Sequence, residues 1–500
     1  MSGQPRGLTT ESVRIRAENA LPGSSDWKLT DRAVNHEIEG YANRTSVDIG
    51  DRVTLYVSTI APTFRVEAYR MGFYQGLGGR LVDTVPETIG SRQAPPSFTP
   101  GTNMIEAKWQ PSLSMLTTGW PEGEYLFKLI ASTGQQQYVP LTVRNDRGGA
   151  AYMIIDAVTT WQAYNLWGDY SLYAGKNGSF DQRSRVVSFD RPYLFGDGAA
   201  NFLDLEYPAV SLMESLGLDV TYMTSVDVHE QPELLLSHRA VFSMGHDEYY
   251  SLAMRDGLQS ARDKGVNLAF LGANAIYRHI RFGPSPLGPD RHEIDYKSTH
   301  EDPLYGKNNA DVTVNWRDPP NSNPESQIIG NLYQCNPVKA DMVIVDPSNW
   351  LFEGTGAFAG QRLPDVVASE YDRYDPSFAG PANVEILTHS PLRCHGKPDF
   401  ADATYYTAPS GAGVFASGTI SFVGYMNANC EPAGCAGRVL GRVMTNLLAA
   451  FGAGPAGLTH PSKPEQSTVQ GRPPVNPTAS TSVETLPGGA PSDQRATTVP

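Results

Sequence analysis

Residues 245–248, Gly-His-Asp-Glu, set an imidazole and two carboxylates on three consecutive positions. His246, Asp247 and Glu248 are side chains that can ligate a metal ion or move a proton. The apolar run 239–243 precedes them, and the spacing from Tyr249 onward predicts a helix. A strand ending in a Gly turn that opens a helix is where open α/β sheets carry their chemistry. A second unit of this kind follows, strand 266–271 with the tip Gly272-Ala273-Asn274. The turn has no Ser or Cys at the place a nucleophile elbow needs one. Covalent acyl-enzyme chemistry is therefore disfavoured, leaving metal or general-base catalysis. Asp247 also has an ordinary reading, since acidic residues in a first helical turn cap it and complement its dipole.

A third segment, 159–173, is rich in aromatics: Trp161, Tyr164, Trp167, Tyr170 and Tyr173. Such density suits a packed lid. It also offers phenol oxygens, which ionise near pH ~10 when free and become ligands beside a strongly Lewis-acidic ion. Phenolate and carboxylate are hard donors and suit Fe(III) better than zinc or copper(I).

The elements that must position these groups fall into two patterns. Residues 12–145 read as an immunoglobulin-like β-sandwich of short alternating strands, with Val13, Ile15 and Ala17 as the first. From 150 to 452 the pattern is α/β. Strand 151–155 is apolar throughout, as a strand buried on both faces requires. Helices at 208–216 and 249–264 each end at a Gly, a strand at 220–223 lies between them, and a closing helix runs over 438–451. This alternation implies a parallel sheet covered on both faces. Residues 283–410 read as a β-rich elaboration, and 455–500 as a disordered Pro/Ser/Thr-rich tail.

With 500 residues and a formal charge of -14, the chain has ample core but no basic footprint for nucleic acid. No window is apolar enough for a membrane span, and the first residues lack a secretory core. A cytoplasmic location is expected. Cys335, Cys394, Cys430 and Cys435 form no CxxC pair. Free or buried thiols are the expectation, with Cys430–Cys435 as the alternative disulfide and no zinc site.

Three segments together resemble the large (beta) subunit of N,N-dimethylformamidase: Thr160 to Gly168, Gly245 to Tyr249, and Gly272 to Asn274. The stretches 40–42, 69–74 and 76–80 add to the likeness, which covers 12 to 452. The resemblance implies a class I glutamine amidotransferase-like α/β domain lacking the family cysteine. It also implies a mononuclear non-haem iron, Fe(III), held by two tyrosines and a glutamate, here Tyr164, Tyr173 and Glu248. Tyr170 and Tyr193 are alternatives for the second tyrosine. His246 and Asn274 would line the iron pocket, and Lys297 and Glu370 match further active-site positions. The implied activity is hydrolysis of small formamide-like amides, with a homo-oligomer or a small partner subunit as the assembly. Two other readings remain open. A carbohydrate-active enzyme would set Asp247 and Glu370 ~5–9 Å apart, and a non-catalytic binding protein would bury Tyr164 and Tyr173 away from Glu248.

Overall fold

The computed structural model describes residues 11–426 and 435–463, a mixed α/β chain with several sheets and few helices. Two antiparallel-rich sheets, of three and five strands, are built from residues 38–144. Alternate side chains from both, among them Val53, Leu55 and Val57 on one and Phe64, Phe127 and Leu129 on the other, form one buried cluster. Period-two alternation is what lets each strand give one face to that cluster.

Residues 13–17 are not a strand. Val13–Asn19 is a helix whose first turn is capped by Ser12, which accepts from Ile15 N. Its buried residues, Ile15 and Asn19, stand four apart on one face, and that spacing competes with the alternation read from the sequence.

The second half is built on a seven-stranded sheet. In chain order its strands are β1 (Tyr152–Asp156), β2 (Val220–Thr224), β3 (Ala240–His246), β4 (Asn267–Ala273), β5 (Glu385–Cys394), β6 (Lys397–Thr407) and β7 (Gly413–Ala416). Their spatial order is β2-β1-β3-β4-β7-β6-β5. The first five neighbours are parallel, and β6 and β5 continue the sheet antiparallel. Residues 385–407, read from sequence as part of an elaboration, are thus strands of the central sheet.

Tyr152 and Ile154 enter one core cluster and Met153 and Ile155 the other, so β1 is buried on both faces. Helices Tyr207–Ser215 and Ala436–Ala453 pack on the first face, and Leu252–Asp263 on the second. β1 goes to β2 on one side and the chain returns to β3 on the other, so the strand order switches between β1 and β3. In open sheets ligands bind beyond the strand carboxyl ends at such a point.

Two turns differ from the sequence expectation. After β3 the chain adds a short strand, Tyr249–Ser251, and the helix begins only at Leu252, capped by Ser251. Asp247 therefore caps nothing: it accepts hydrogen bonds from Ser243 and Tyr250. After β4 no helix follows, and the chain runs into the strand Arg278–Ser285.

Cys335 and Cys394 are joined in a disulfide, not free. They lie 59 residues apart, a separation that leaves no spacing signal in the sequence. Cys435 is also disulfide-bonded, while Cys430 falls outside the described residues. Residues 455–463, assigned to the tail from composition, are packed: Ala456 is buried and His460 stacks on Trp350. Residues 464–500 lie outside the described residues. No described helix is long and apolar enough to cross a membrane.

A fully buried ion pair joins the two halves. Arg70 donates to both oxygens of Glu214, at 2.5 and 3.0 Å, and Tyr222 and Asn19 complete the carboxylate's shell. Glu214→Ala is expected to cost about 3–5 kcal/mol in urea unfolding, because it strands a buried guanidinium. A paired Arg70→Met/Glu214→Leu variant should recover most of that loss. Equal destabilisation in both proteins would refute this account of the pair.

Candidate active site

Three chain segments meet beyond the carboxyl ends of β1, β3 and β4. The helix Val158–Tyr164 follows β1 and carries Tyr164 as its last residue. Glu248 follows β3, its amide donating to Thr160 Oγ1 at 2.9 Å, which ties the turn to that helix. Glycine is needed at both tips. Gly245 has φ +49°, and a Cβ there would fall 2.6 Å from Leu205 Cβ. A Cβ on Gly272 would fall 1.6 Å from the Gly245 carbonyl oxygen, so β3 and β4 can approach only without it.

Tyr164, Tyr173 and Glu248 converge. Tyr164 donates to Glu248 Oε2 at 2.8 Å, Tyr173 donates to Oε1 at 2.7 Å, and the two phenol oxygens lie 3.0 Å apart. Their rings stack with centroids 4.4 Å apart. Tyr170 instead packs on Phe98, and Tyr193 on Trp161 and Phe195. Asp247 lies in the same turn with its carboxylate turned to Ser243 and Tyr250, and burial raises it to about 6.

His246 Nε2 stands 3.4 Å from Glu248 Oε2 and 3.6 Å from Glu370 Oε2, and so bridges two carboxylates at ion-pair distance. Glu370 is carried by the strand Arg362–Arg373, which pairs with Leu332–Val343. Asn274 Nδ2 donates to Glu370 Oε2 at 2.7 Å, and its own amide donates to Asp372 at 2.8 Å. Asn274 holds φ +59° and Ser369, before Glu370, φ +64°, conformations that cost energy for non-Gly residues and gather at functional sites.

Lys297 packs against Tyr173 and Tyr249. Its ammonium donates to Tyr249 Oη at 2.6 Å and stands 4.0 Å from the Tyr173 ring centroid, 4.7 Å from that of Tyr249 and 3.3 Å from Asp295. All seven residues expected from sequence are thus brought together. Sequence reasoning missed Arg278, whose Nε reaches Glu248 Oε1 at 3.3 Å, and Asn336, which donates to Glu370 Oε1 at 3.2 Å. Both come from strands beyond the β4 tip, and neither sits in a chemistry-bearing pattern.

The charges are arranged to keep Glu248 anionic. Burial pushes its carboxyl up, but His246, Lys297 and Arg278 outweigh this and hold it down to about 2. Burial, reinforced by the Glu248 charge, pushes the Tyr164 phenol well up. Burial and Glu248 also raise Glu370, against His246, Asn274 and Asn336. His246 is raised by Glu370 and Glu248 despite its burial.

The donor set suits a hard trivalent or divalent cation. Oxygens ~2.0–2.1 Å from an octahedral ion stand about 2.9 Å from one another, and here the two phenol oxygens lie 3.0 Å apart, with a different oxygen of Glu248 2.8 Å from Tyr164 and 2.7 Å from Tyr173. Two phenol protons already serve the carboxylate, so none remains for the contact between the phenols. Asn274 Oδ1 is buried without a hydrogen-bond partner, and His246 Nε2 meets its two carboxylates only at 3.4 and 3.6 Å, which leaves polar capacity at the cluster. Elsewhere among the described residues, ligand atoms of Cys335, Cys394 and His395 also lie close together, but the disulfide takes up both sulfurs. A cavity of about 30 Å³ lined by Tyr41, Glu124 and Trp161 can hold water and does not include Glu248.

Comparison with known proteins gives one family. A family model described as N,N-dimethylformamidase beta subunit-like, C-terminal, matches residues 65–433. No curated protein matches. A solved cycloisomaltooligosaccharide glucanotransferase from Paenibacillus sp., complexed with cycloisomaltoheptaose, is similar at 9% identity with a TM-score of 0.15. That likeness covers 53% of this chain and 34% of the other, about a third of its length, and carries no argument.

Proposed function

This chain belongs to the N,N-dimethylformamidase beta subunit-like family, and from that premise we propose that it is an iron-dependent hydrolase of small amide C–N bonds. The observation that carries the reading is the convergence of two phenol oxygens and a carboxylate within 3.0 Å of one another at the strand-order switch. Tyr164, Tyr173 and Glu248 would hold a mononuclear Fe(III), for which hard oxygen donors are suited. When bound, iron supplies Lewis acidity, polarising a carbonyl and acidifying water.

The remaining steps belong to the chain's own groups. Glu370, kept in place by Asn274 and Asn336, is the general base that takes a proton from attacking water. His246, poised between Glu248 and Glu370, donates to the developing oxyanion or passes the proton towards the departing amine. The Asn274 carboxamide is committed to Glu370 and so orients the base. The Lys297 ammonium lies 4.0 Å from the Tyr173 ring centroid, and its charge favours an anionic Glu248 and an anionic ligand set. Substrate would be a formamide-like or other small amide.

Tyr173→Phe is expected to weaken iron binding by at least ~10–100-fold in a chelator competition, and to lower formate release from N,N-dimethylformamide with it. Tyr193→Phe should leave iron affinity unchanged, because that ring packs on Trp161 and Phe195. Equal iron affinity in wild type and Tyr173→Phe would remove Tyr173 from the ligand set.

A further inference from the structure

The strand Leu332–Val343 loses its regular ladder just where it faces the base. Its pairing with Arg362–Arg373 shifts register on both sides of Cys335, between Tyr333 and Cys335 and between Cys335 and Val338. Asn336 stands in this bulged segment. Its Nδ2 donates to Glu370 Oε1 at 3.2 Å and to Tyr333 Oη at 2.9 Å. Its carbonyl oxygen lies 3.7 Å from Cys335 Sγ and 3.6 Å from Cys394 Sγ, between the two halves of the disulfide.

Cys394 is the last residue of β5, the edge strand of the central sheet. The disulfide therefore fastens the bulge to the edge of the sheet where ladder bonds are interrupted. Further along the same chain, Val343 and Val345 bond to Ser390 and Leu387 of β5, so the far end has ties of its own. Cys394 is 5% exposed and Cys335 is half-buried, so a reductant's approach is to Cys335 Sγ.

We propose that the Cys335–Cys394 disulfide is a redox clamp on the active site, setting Asn336 against Glu370 when oxidised and releasing it when reduced. The reductant is a dithiol. Its thiolate attacks Cys335 Sγ, the Cys335–Cys394 bond breaks, and Cys394 leaves as a thiolate that takes a proton. The second thiol of the reductant then closes the reductant's own disulfide, and Cys335 departs as a thiolate and is protonated. Two electrons pass from the reductant's sulfurs to those of the protein. Asn336 is a positioning residue, acting on the reaction through Glu370. The activity arm of the test rests on the amide-hydrolase reading; the exchange arm does not.

The experiment treats the purified protein with dithiothreitol, locates the new thiols by alkylation and mass mapping, and measures iron content alongside. Amide hydrogen exchange over 332–343 is expected to rise on reduction, while 245–249 stays protected. Formamide hydrolysis should fall by about tenfold at constant iron, since small misplacements of a catalytic group are costly, and reoxidation should restore it. A Cys335→Ala/Cys394→Ala variant should match the reduced wild type and ignore dithiothreitol, and a Cys435→Ser variant should respond as wild type does. Unchanged exchange over 332–343 with Cys335 and Cys394 shown to be alkylated overturns the clamp. Exchange that rises without any formamide hydrolysis in either state keeps the clamp and overturns the amide-hydrolase reading.

Discussion

Glu248→Ala protein is expected to purify without stoichiometric iron and to hydrolyse formamides at least about 10⁴-fold more slowly than wild type. The size follows from what is lost together. A general base contributes about 10²–10⁴-fold and an oxyanion donor about 10²–10³-fold, and both act on a substrate that the metal must polarise. Glu248 is the common partner of Tyr164, Tyr173, His246 and Arg278, so no other side chain of the cluster replaces it. Truncation also takes a carboxylate from Arg278, so unfolding curves and a Glu248→Gln companion are needed to separate loss of metal from loss of fold. The pH behaviour has a definite sign. Because the folded-state carboxyl is held down to about 2, its ionised form contributes stability above the ordinary carboxylate range. That contribution is lost progressively as pH falls from the ordinary carboxylate range through about 2. Full iron and full rate in a folded Glu248→Ala protein would end the metal-site reading.

Glu370→Gln should behave differently, keeping its iron while losing about 10²–10³-fold in kcat. The amide preserves the shape, accepting from Asn336 while a turned Asn274 carboxamide offers its otherwise unpartnered Oδ1 to the new NH2, so the missing property is basicity. Burial and the neighbouring Glu248 charge raise Glu370, against the pull of His246 and the two amides. As a base it works deprotonated, so kcat/KM should decline as pH falls through a value above the ordinary carboxylate range. In Glu370→Gln that acid limb should disappear. A variant that keeps both the rate and the limb would move the base elsewhere.

The polar turn and its partners were legible because their signals are local. Gly245 and Gly272 announce tips that tolerate no side chain, and apolar strands 151–155, 239–243 and 266–271 announce a sheet covered on both faces. The second tyrosine could not be fixed from sequence, since Tyr170, Tyr173 and Tyr193 are equivalent in composition and only the path of the loop brings Tyr173 to Glu248. Asp247 was misread as a cap because its turn looks like a helix start, while Ser251 takes that role four residues later. Val13, Ile15 and Ala17 alternate as a strand would, but the capped helix wins with Ile15 and Asn19 turned inward. The Cys335–Cys394 pair and the contacts of Arg278 and Asn336 were invisible because they are long-range: they depend on which strands meet, not on spacing. The fold of the second half as a parallel sheet with helices on both faces was readable; its antiparallel extension through β5 and β6 was not.

The most direct test of the central claim is metal analysis of the purified protein joined to its visible absorption spectrum. Iron held by Tyr164, Tyr173 and Glu248 predicts one iron per chain and a tyrosinate-to-Fe(III) charge-transfer band. That band should weaken in Tyr164→Phe and in Tyr173→Phe and vanish in the double variant. Iron that binds with no such band, or a band unchanged in the double variant, would contradict the site.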